Sequence, residues 1–408
     1  MEIAGIVAEY NPFHNGHLYQ IQQTNFQTHC DAIVAVMSGN FSQRGQATIT
    51  DKFTRTKMAL LNGVDLVLEL PVPIATASAE FFAQGAISIF EQSNVISLLS
   101  FGSECGNISL LNEIANIFTC EQDCIDILIK KYLKQGLSYP RARQQALIAH
   151  LDTKHTDTTH SLIEVLQSPN NILGIEYLKA LKNFHSSIVP FTLKREGAHY
   201  HDSSISGSIA SATAIRHSLY TGSNCYTSSM PLSASTLLDH DSLPSMEKLS
   251  AFLHFRLMFS KVEELYATWD IPGDLIHTFV KQIQTAPSYA ELVNRCTSKT
   301  YTKSTVQRSL LRLLLELKSQ DMFHPSSAIK VPYIRVLGCR KTKTQLLKAL
   351  TQNACVPVIT NLNKQYSTLT PIAKQWIDYE IKASKLYAYL TNQPQLATSD
   401  FTQPFIIL

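Results

Sequence analysis

The chain has 408 residues, of which 45% are hydrophobic and 16% charged, a balance that allows a large core and excludes wholesale disorder. Its length suits two or three domains, and its net charge of +3 is too small to indicate a nucleic-acid partner by itself. No hydrophobic run reaches the roughly 18 residues of a membrane helix, and no signal-peptide pattern is present. We therefore expect a cytoplasmic protein without a membrane partner. The eight cysteines are scattered, and their spacing predicts no metal site.

The first segment of the chain is predicted to run strand, tight loop, helix. The apolar run Ile3–Ala8 is a strand candidate, and apolar residues recur at helical spacing over His17–Thr28. Between them lie two turn dipeptides, Asn11-Pro12 and Asn15-Gly16. The first amide groups of this helix would be unpaired and face the loop, and such a helix end attracts phosphate groups.

Two histidines, His14 and His17, flank this predicted helix start, with Gly16 between them. His-x-Gly-His at a strand-to-helix turn is the signature of nucleotidylyltransferases, whose imidazoles hydrogen-bond phosphates while the α-phosphate is attacked. The glycine lets a nucleotide pack against the backbone. The alternative is that both histidines only cap the helix or lie on the surface.

Short apolar runs and helical patterns alternate through the rest of the first half, which predicts a parallel sheet covered by helices on both faces. The further strand candidates are Ala32–Met37, Asp65–Leu70, Val95–Phe101 and Ile188–Leu193. The further helix candidates are Lys52–Asn62, Ala79–Gln92, Leu110–Phe118, Cys124–Gln135, Ile172–Lys182 and Ala210–Tyr220.

In a parallel sheet, ligands collect at the carboxyl ends of the strands, and polar or glycine residues follow several of the predicted strands. Ser38-Gly39-Asn40 follows the second strand, Gly102 the fourth, and Lys194-Arg195 the fifth. Gly102 would let a base or ribose approach the sheet edge, and the two cations can meet phosphate. Taken singly, each is equally compatible with an ordinary strand-end turn.

Two further clusters lie at predicted helix starts. Asn170 and Asn171 precede an apolar helical run, where their amides can read adenine or ribose edges. Ser211 and Thr213 precede Arg216, which can bind the β- and γ-phosphates of a triphosphate bidentately. Plain helix capping is the alternative for both clusters.

The second half of the chain has a different character. Residues 221–249 are rich in Ser and Thr and predict a linker or surface-wrapping segment. Residues 250–408 are mainly helical by pattern, with helices predicted over Thr344–Leu350 and Pro371–Leu390 and strands over Tyr333–Leu337 and Pro357–Ile359. We therefore expect a catalytic α/β domain over residues 1–220, a linker, and a mainly helical C-terminal domain.

Taken as a set, these motifs resemble the bacterial tRNA(Met) cytidine acetate ligase family. The resemblance spans about residues 1–220 and is weaker beyond them. It rests on Glu9-Tyr10-Asn11-Pro12-Phe13-His14-Asn15-Gly16-His17, Met37-Ser38-Gly39-Asn40-Phe41, Gln43-Arg44-Gly45, Phe101-Gly102-Ser103-Glu104, Pro169-Asn170-Asn171-Ile172-Leu173-Gly174 and Ser211-Ala212-Thr213-Ala214-Ile215-Arg216. His199, where a smaller residue is expected, is one departure.

The resemblance implies a Rossmann-like nucleotidylyltransferase domain and a ligase that converts ATP and acetate to acetyl-adenylate. The acetyl group then passes to N4 of the wobble cytidine of elongator tRNA(Met), giving N4-acetylcytidine. Mg²⁺ would accompany the ATP, held by phosphates and water, with no tightly bound prosthetic group. Catalytic roles fall on His14, His17 and Arg216. ATP contacts fall on Val7, Ala8, Glu9, Tyr10, Asn11, Pro12, Phe13, His14, Asn15, Gly16, His17, Leu18, Tyr19, Gln20, Gly102, Arg195, Ser211 and Thr213, and on Asn170 or Asn171.

The tRNA would be held through its phosphates by Lys and Arg side chains. The best candidate cluster is Arg340, Lys341 and Lys343, and further candidates are Arg44, Lys57, Arg335 and Lys348. Two alternatives stay open at this point. One is a nucleotidylyltransferase acting on a small molecule without RNA, and the other is a non-catalytic nucleotide- or RNA-binding module. The sequence does not predict the oligomeric state or the acetate pocket.

Overall fold

A computed structural model describes residues 1–152, 162, 164–195, 210–239, 241–322 and 328–408. Within these residues the chain forms one eight-stranded sheet in the order β5-β4-β1-β2-β3-β6-β7, with β8 also paired to β6. The strands are β1 Ile3–Ala8, β2 Ala32–Ser38, β3 Leu66–Leu70, β4 Leu98–Ser103, β5 Val189–Lys194, β6 Ile334–Cys339, β7 Val358–Ile359 and β8 Ile406–Ile407. β1 to β5 are mutually parallel, and β6 runs antiparallel to β3.

Helices cover the sheet and form most of the second half of the chain. They are α1 Asn15–Thr28, α2 Lys52–Leu61, α3 Val72–Ala75, α4 Ala79–Ser93, α5 Ile108–Cys120, α6 Gln122–Lys134, α7 Tyr139–Asp152, α8 Pro169–Asn183, α9 Ala212–Tyr220, α10 Leu232–Ser235, α11 Leu249–Phe259, α12 Val262–Tyr266, α13 Gly273–Gln282, α14 Tyr289–Cys296, α15 Lys303–Leu315, α16 Thr344–Asn353, α17 Leu362–Gln365, α18 Pro371–Thr391 and α19 Ser399–Thr402. In the described residues, no helix is long and apolar enough to cross a bilayer.

The sheet is buried on both faces because successive side chains along its strands enter two separate cores. Val34 and Val36 of β2 lie in one core, while Ile33 and Ala35 lie in the other. This pattern explains why the strand segments are apolar throughout rather than alternating. The predicted α/β fold with a parallel sheet is confirmed, and each predicted strand and helix is present with ends shifted by a few residues.

The sheet also includes strands from the region predicted as a mainly helical C-terminal domain. β6 pairs with β3, from Leu66 opposite Cys339 to Glu69 opposite Arg335, and so extends the parallel sheet. The division at residues 220 and 249 remains a prediction, although the sheet itself is continuous across it. Residues of the predicted linker pack into the second core, with Tyr226, Met230 and Ala234 buried.

A buried ionic cluster joins the two halves of the chain beside β3. Lys52 Nζ lies 2.6 Å from both Glu69 Oε1 and Asp400 Oδ1. Arg335 Nη1 lies 3.1 Å from Glu69 Oε2 and 2.6 Å from Asp400 Oδ1. The neighbouring Glu380 accepts a hydrogen bond from the Val72 amide, and burial next to Glu69 raises its pKa well above the usual range. Lys52 and Arg335 thus face the carboxylates of Glu69 and Asp400, which satisfies the requirement that buried charges be paired.

The prediction that Arg335 contacts tRNA is wrong, because Arg335 is only 4% exposed and is held in this cluster. Lys52 is likewise fully buried in the cluster. Arg312 of α15 is also buried, and it donates to the carbonyl oxygens of Thr76 and Pro73. In each case a long-range partner stabilises a charge that sequence patterns assign to the surface.

Candidate active site

A cavity of about 540 Å³ lies at the carboxyl ends of β1, β4 and β5. It has the position that open parallel sheets offer to ligands. Most of the residues that the sequence assigned to nucleotide binding line it, namely Val7, Ala8, Glu9, Tyr10, Asn11, His14, Gly16, His17, Tyr19, Gln20, Gly102, Asn170, Arg195, Ser211, Thr213 and Arg216. The lining does not include Pro12, Phe13, Asn15, Leu18 or Asn171.

The two histidines form the N-terminal cap of α1. His14 is the N-cap residue, and its Nδ1 accepts a hydrogen bond from the Gly16 amide at 3.1 Å. His17 Nδ1 accepts from the His14 amide at 3.2 Å, which completes a reciprocal capping box. The rings stack with their centroids 3.7 Å apart. Capping, one of the two alternatives at the sequence level, is therefore present and uses the Nδ1 nitrogen of each ring.

The capping bonds determine where each imidazole carries its proton. A ring nitrogen that accepts an N–H has no proton of its own, so both neutral rings carry the proton on Nε2. Burial, and then the charges of Arg195 and Arg216, lower the pKa of His14 to about 3. Burial, His14 and Arg195 also lower the pKa of His17 well below its usual value. The cavity is therefore lined by two neutral N–H donors at the positive end of a helix.

Arg216 connects the third sequence cluster to the loop after β1. Its Nη1 donates to the carbonyl oxygen of Asn11 at 2.7 Å, and its Nη2 to Thr213 Oγ1 at 3.2 Å. Ser211 caps α9 by accepting from the Ala214 amide at 3.1 Å. The predicted helix start is thus correct, and it brings the half-buried guanidinium against the cavity.

The two asparagines of the second cluster have different surroundings. Asn171 is 2% exposed, its Oδ1 accepts from the amides of Glu104 and Cys105, and its Nδ2 donates to Val165. Asn170 lines the cavity, and its Nδ2 donates to Glu104 Oε1 at 2.7 Å. Asn171 thus fixes the loop after β4, while Asn170 is the amide available to a ligand.

Gly102 and Arg195 lie next to each other at the ends of neighbouring strands, β4 and β5. A Cβ atom on Gly102 would lie 3.3 Å from Cγ of Arg195, closer than most side-chain contacts. The absence of a side chain at residue 102 therefore lets the Arg195 side chain lie along the sheet edge. His199, which departs from the family pattern, lies outside the described residues.

Sequence analysis missed the residue that supports the base of the cavity. Arg55 of α2 is fully buried, and its Nη1 donates to the carbonyl oxygens of Glu9 at 2.7 Å and Ser38 at 3.0 Å. It thereby joins the ends of β1 and β2. An arginine at helical spacing from the apolar residues Met58 and Ala59 was the available signal. Tyr177 and Phe101 also line the cavity and were not assigned to it.

The basic cluster assigned to tRNA lies at the amino ends of the parallel strands, opposite the cavity at their carboxyl ends. Arg340 follows β6, and because β6 is antiparallel to β3, Arg340 lies near the start of β3. Its Nη1 is 3.5 Å from Asp65 Oδ1. Lys343 Nζ donates to the carbonyl oxygen of Asp31 at the start of β2. Arg44 and Lys194 instead line the catalytic cavity. No cluster of metal-ligating side chains occurs in the described part of the chain.

Comparisons with known proteins agree with this site. A family model described as HIGH Nucleotidyl Transferase matches residues 1–403. The chain is 38% identical over 414 residues to a protein of Clostridium perfringens named tRNA(Met) cytidine acetate ligase, with full coverage of both. It is 35% identical over 420 residues to the Acetivibrio thermocellus protein of the same name, again with full coverage.

Two solved structures also match over their whole length. The apo form I of Thermotoga maritima TmcAL has a TM-score of 0.93 at 30% identity, with 100% of both chains covered. The same Thermotoga protein bound with alpha-thio ATP has a TM-score of 0.91 at 29% identity, with the same coverage. The cavity described above thus belongs to a fold that binds an ATP analogue in a solved relative.

Proposed function

The chain belongs to the tRNA(Met) cytidine acetate ligase family, and from this membership we propose its reaction. The enzyme activates acetate with ATP as acetyl-adenylate, releasing pyrophosphate, and transfers the acetyl group to N4 of the wobble cytidine of elongator tRNA(Met). A tRNA substrate agrees with the cytoplasmic location expected from the sequence.

One observation carries the proposal for the first step: His14 and His17 are neutral Nε2–H donors at the start of α1. Attack of acetate on the α-phosphorus adds negative charge to the phosphate oxygens. Two fixed donors, the helix amides, and the Arg195 and Arg216 guanidinium groups supply the matching positive field without having to reorganise. No covalent enzyme intermediate is required.

The lining also fits ATP with its usual cation. Among the described residues that line the cavity, Glu9 is the one carboxylate, which is too few for a protein-built magnesium cage. We propose that Mg²⁺ enters with ATP, held by phosphate oxygens and water. We propose that Asn170 and Gly102, which line the cavity, contact the adenosine half and that the lining cations contact the phosphates.

The tRNA must present its wobble base to this cavity, unstacked from the anticodon loop. We assign the nearest backbone contacts to Arg44 and Lys194, because both line the cavity. Arg340, Lys341 and Lys343, at the other edge of the sheet, are proposed to contact a more distant part of the tRNA.

The test is acetate-dependent pyrophosphate release from ATP, with and without bulk bacterial tRNA, followed by mass analysis of the nucleosides. The expected result is release together with N4-acetylcytidine in elongator tRNA(Met). Release with other small acids and no modified nucleoside would instead indicate a small-molecule transferase. ATP binding without any release would indicate a sensor.

A further inference from the structure

We propose that the Glu9 carboxylate is a catalytic residue of the second step, accepting the proton that the cytidine N4 amine loses as it is acetylated. The inference rests on the proposed function and adds a residue role to it. The transfer must remove one proton from the nucleophilic nitrogen, and a base within reach of the acceptor is needed to take it.

The two histidines of the cavity cannot take this proton. The Nδ1 atoms of His14 and His17 already accept main-chain N–H groups, and their Nε2 atoms carry the ring protons. Neither ring therefore presents a free lone pair to the acceptor base. Both are suited to donating hydrogen bonds to phosphate instead.

The other described titratable groups that line the cavity are also unsuited to the task. Its cations have no lone pair to offer, and they are Arg44, Lys194, Arg195 and Arg216. Its phenols are poor bases while they keep their protons, and they are Tyr10, Tyr19 and Tyr177. Glu9 is the remaining lining group whose chemistry is that of a base.

The structure holds Glu9 in a fixed position at the cavity wall. It follows directly after β1, and its carbonyl oxygen accepts from Arg55 Nη1 at 2.7 Å. Its Oε1 accepts from the Gln43 amide at 2.8 Å. A carboxylate has about four acceptor positions, so this bond leaves capacity for an amine N–H. Glu9 is also close enough to Arg216 and Tyr177 to act on both electrostatically.

The step balances without a further reactant. The lone pair of cytidine N4 attacks the carbonyl carbon of acetyl-adenylate, and a C–N bond forms. The bond between that carbon and the phosphate oxygen breaks, and AMP leaves with the electron pair. The proton of N4 passes to the Glu9 carboxylate and from there to solvent. Arg216 lines the same cavity as Glu9, and we assign it to stabilising the departing phosphate.

The experiment separates the two half-reactions in the full-length enzyme. In Glu9→Gln, the amide oxygen can still accept the Gln43 N–H, so the loop is retained while the base is lost. Because Glu9 also lines the proposed ATP cavity, the readout is the difference between the two steps, and acetate-dependent ATP–pyrophosphate exchange should fall much less than transfer does. Single-turnover transfer from freshly prepared acetyl-adenylate to tRNA should fall about 10²-fold or more, the scale of general-base catalysis. Glu2→Gln, an exposed carboxylate at the other end of β1, is the control and should change neither step.

A rescue experiment excludes a purely structural role. In Glu9→Ala, added formate should partly restore transfer from acetyl-adenylate in the absence of ATP, because formate can occupy the vacated carboxylate position. The proposal is overturned if Glu9→Gln transfers at the wild-type rate. It is also overturned if exchange and transfer fall equally, or if raised Mg²⁺ alone restores activity. Failure of the wild-type enzyme to form N4-acetylcytidine would refute the proposed function instead.

Discussion

The Arg216 guanidinium donates a hydrogen bond from Nη1 to the carbonyl oxygen of Asn11 at 2.7 Å, across 205 residues of sequence. The contact fixes the start of α9 against the loop between β1 and α1. Arg216 also lines the cavity, so the same side chain both faces the cavity and holds the loop in place. The position of the loop before α1 therefore depends on a residue from a separate motif.

Replacing His17 tests the donor role directly. His17→Ala should lower acetate-dependent ATP–pyrophosphate exchange about 10²-fold, the scale of losing one preorganised donor. His17→Gln retains a side chain that can complete a capping box but lacks the imidazole Nε2–H. We expect it to match the alanine variant in activity and wild type in thermal stability. Near-normal exchange in His17→Gln would reduce the role of His17 to capping.

The lowered pKa of His14 predicts a pH dependence of stability. The pKa is about 3 in the folded state and about 6.5 when unfolded. Below pH 6.5 the unfolded state therefore binds a proton that the folded state does not, and stability falls as the pH decreases towards 3. His14→Asn keeps an N-cap acceptor without this titration. Its loss of unfolding free energy between pH 7 and pH 5, measured in urea, should be smaller by about 2 kcal/mol.

The control for that measurement is His29→Asn, at the other end of α1. His29 is exposed and has left-handed backbone dihedral angles that Asn tolerates. It should leave the difference between the two pH values unchanged. An equal pH effect in His14→Asn and wild type would contradict the low pKa assigned to His14.

Gly102 and Arg195 should act as one unit in ATP binding. The branched side chain in Gly102→Val would displace Arg195, since even a Cβ atom lies 3.3 Å from its Cγ. We expect Kd for ATP to rise about tenfold, which corresponds to roughly 1.4 kcal/mol. The double variant Gly102→Val with Arg195→Ala should bind about as weakly as Arg195→Ala alone, measured by calorimetry. Additive losses in this cycle would show that the two positions act independently.

The location of the basic residues predicts their ranking in tRNA binding. Arg44→Ala with Lys194→Ala should weaken binding more than Arg340→Ala with Lys343→Ala, because the first pair lines the cavity. Binding of tRNA by both double variants should depend less on salt. The slope of the logarithm of the binding constant against the logarithm of the salt concentration should fall in magnitude by about one for each phosphate group that is no longer bound. Gel-shift titrations at several salt concentrations measure this. The reverse ranking would move the principal tRNA contact to the opposite edge of the sheet.

The buried cluster predicts a large effect of one lysine on stability. Lys52→Met fills a similar volume but leaves Glu69 and Asp400 with one cation between them. The unfolding free energy should fall by about 3–5 kcal/mol, as for other broken buried pairs. Arg295→Met removes one partner of the more exposed pair with Glu291 and should cost less than about 1 kcal/mol. Comparable losses in the two variants would show that the cluster contributes little.

The parts of the fold that sequence analysis predicted depend on local patterns. The strands are apolar throughout because they are buried on both faces, and the loop before α1 carries its own turn residues. Helix α7, from Tyr139 to Asp152, was not predicted. Its buried side includes Leu147 and Leu151 but also Ala142, Arg143 and His150, so its apolar stripe is short and interrupted by small and polar residues.

The parts that were not predicted depend on partners distant in sequence. From the sequence alone, Arg335 is expected to be an exposed charge on a strand. The structure shows that Glu69 and Asp400 lie beside it and pair its charge. Arg55 likewise becomes structural only when the ends of β1 and β2 meet. For the candidate site, the sequence predicted which residue types are present and at which strand ends they lie. Which nitrogen of each histidine carries the proton was not, because this depends on the geometry of the cap.

The ion pair between Lys52 and Asp400 can form only near the end of protein synthesis. The two residues are separated by 348 positions, which a bacterial ribosome covers in roughly 17 to 70 s at about 5–20 residues per second. Until Ile334–Cys339 is made, β3 lacks β6 at its edge and the cluster lacks Arg335 and Asp400. An unpaired apolar edge strand invites association with other chains. The growing polypeptide therefore carries β3 with an unpaired apolar edge until β6 is made, and we expect a chaperone that shields Leu66–Leu70 during this period to improve the yield of folded protein.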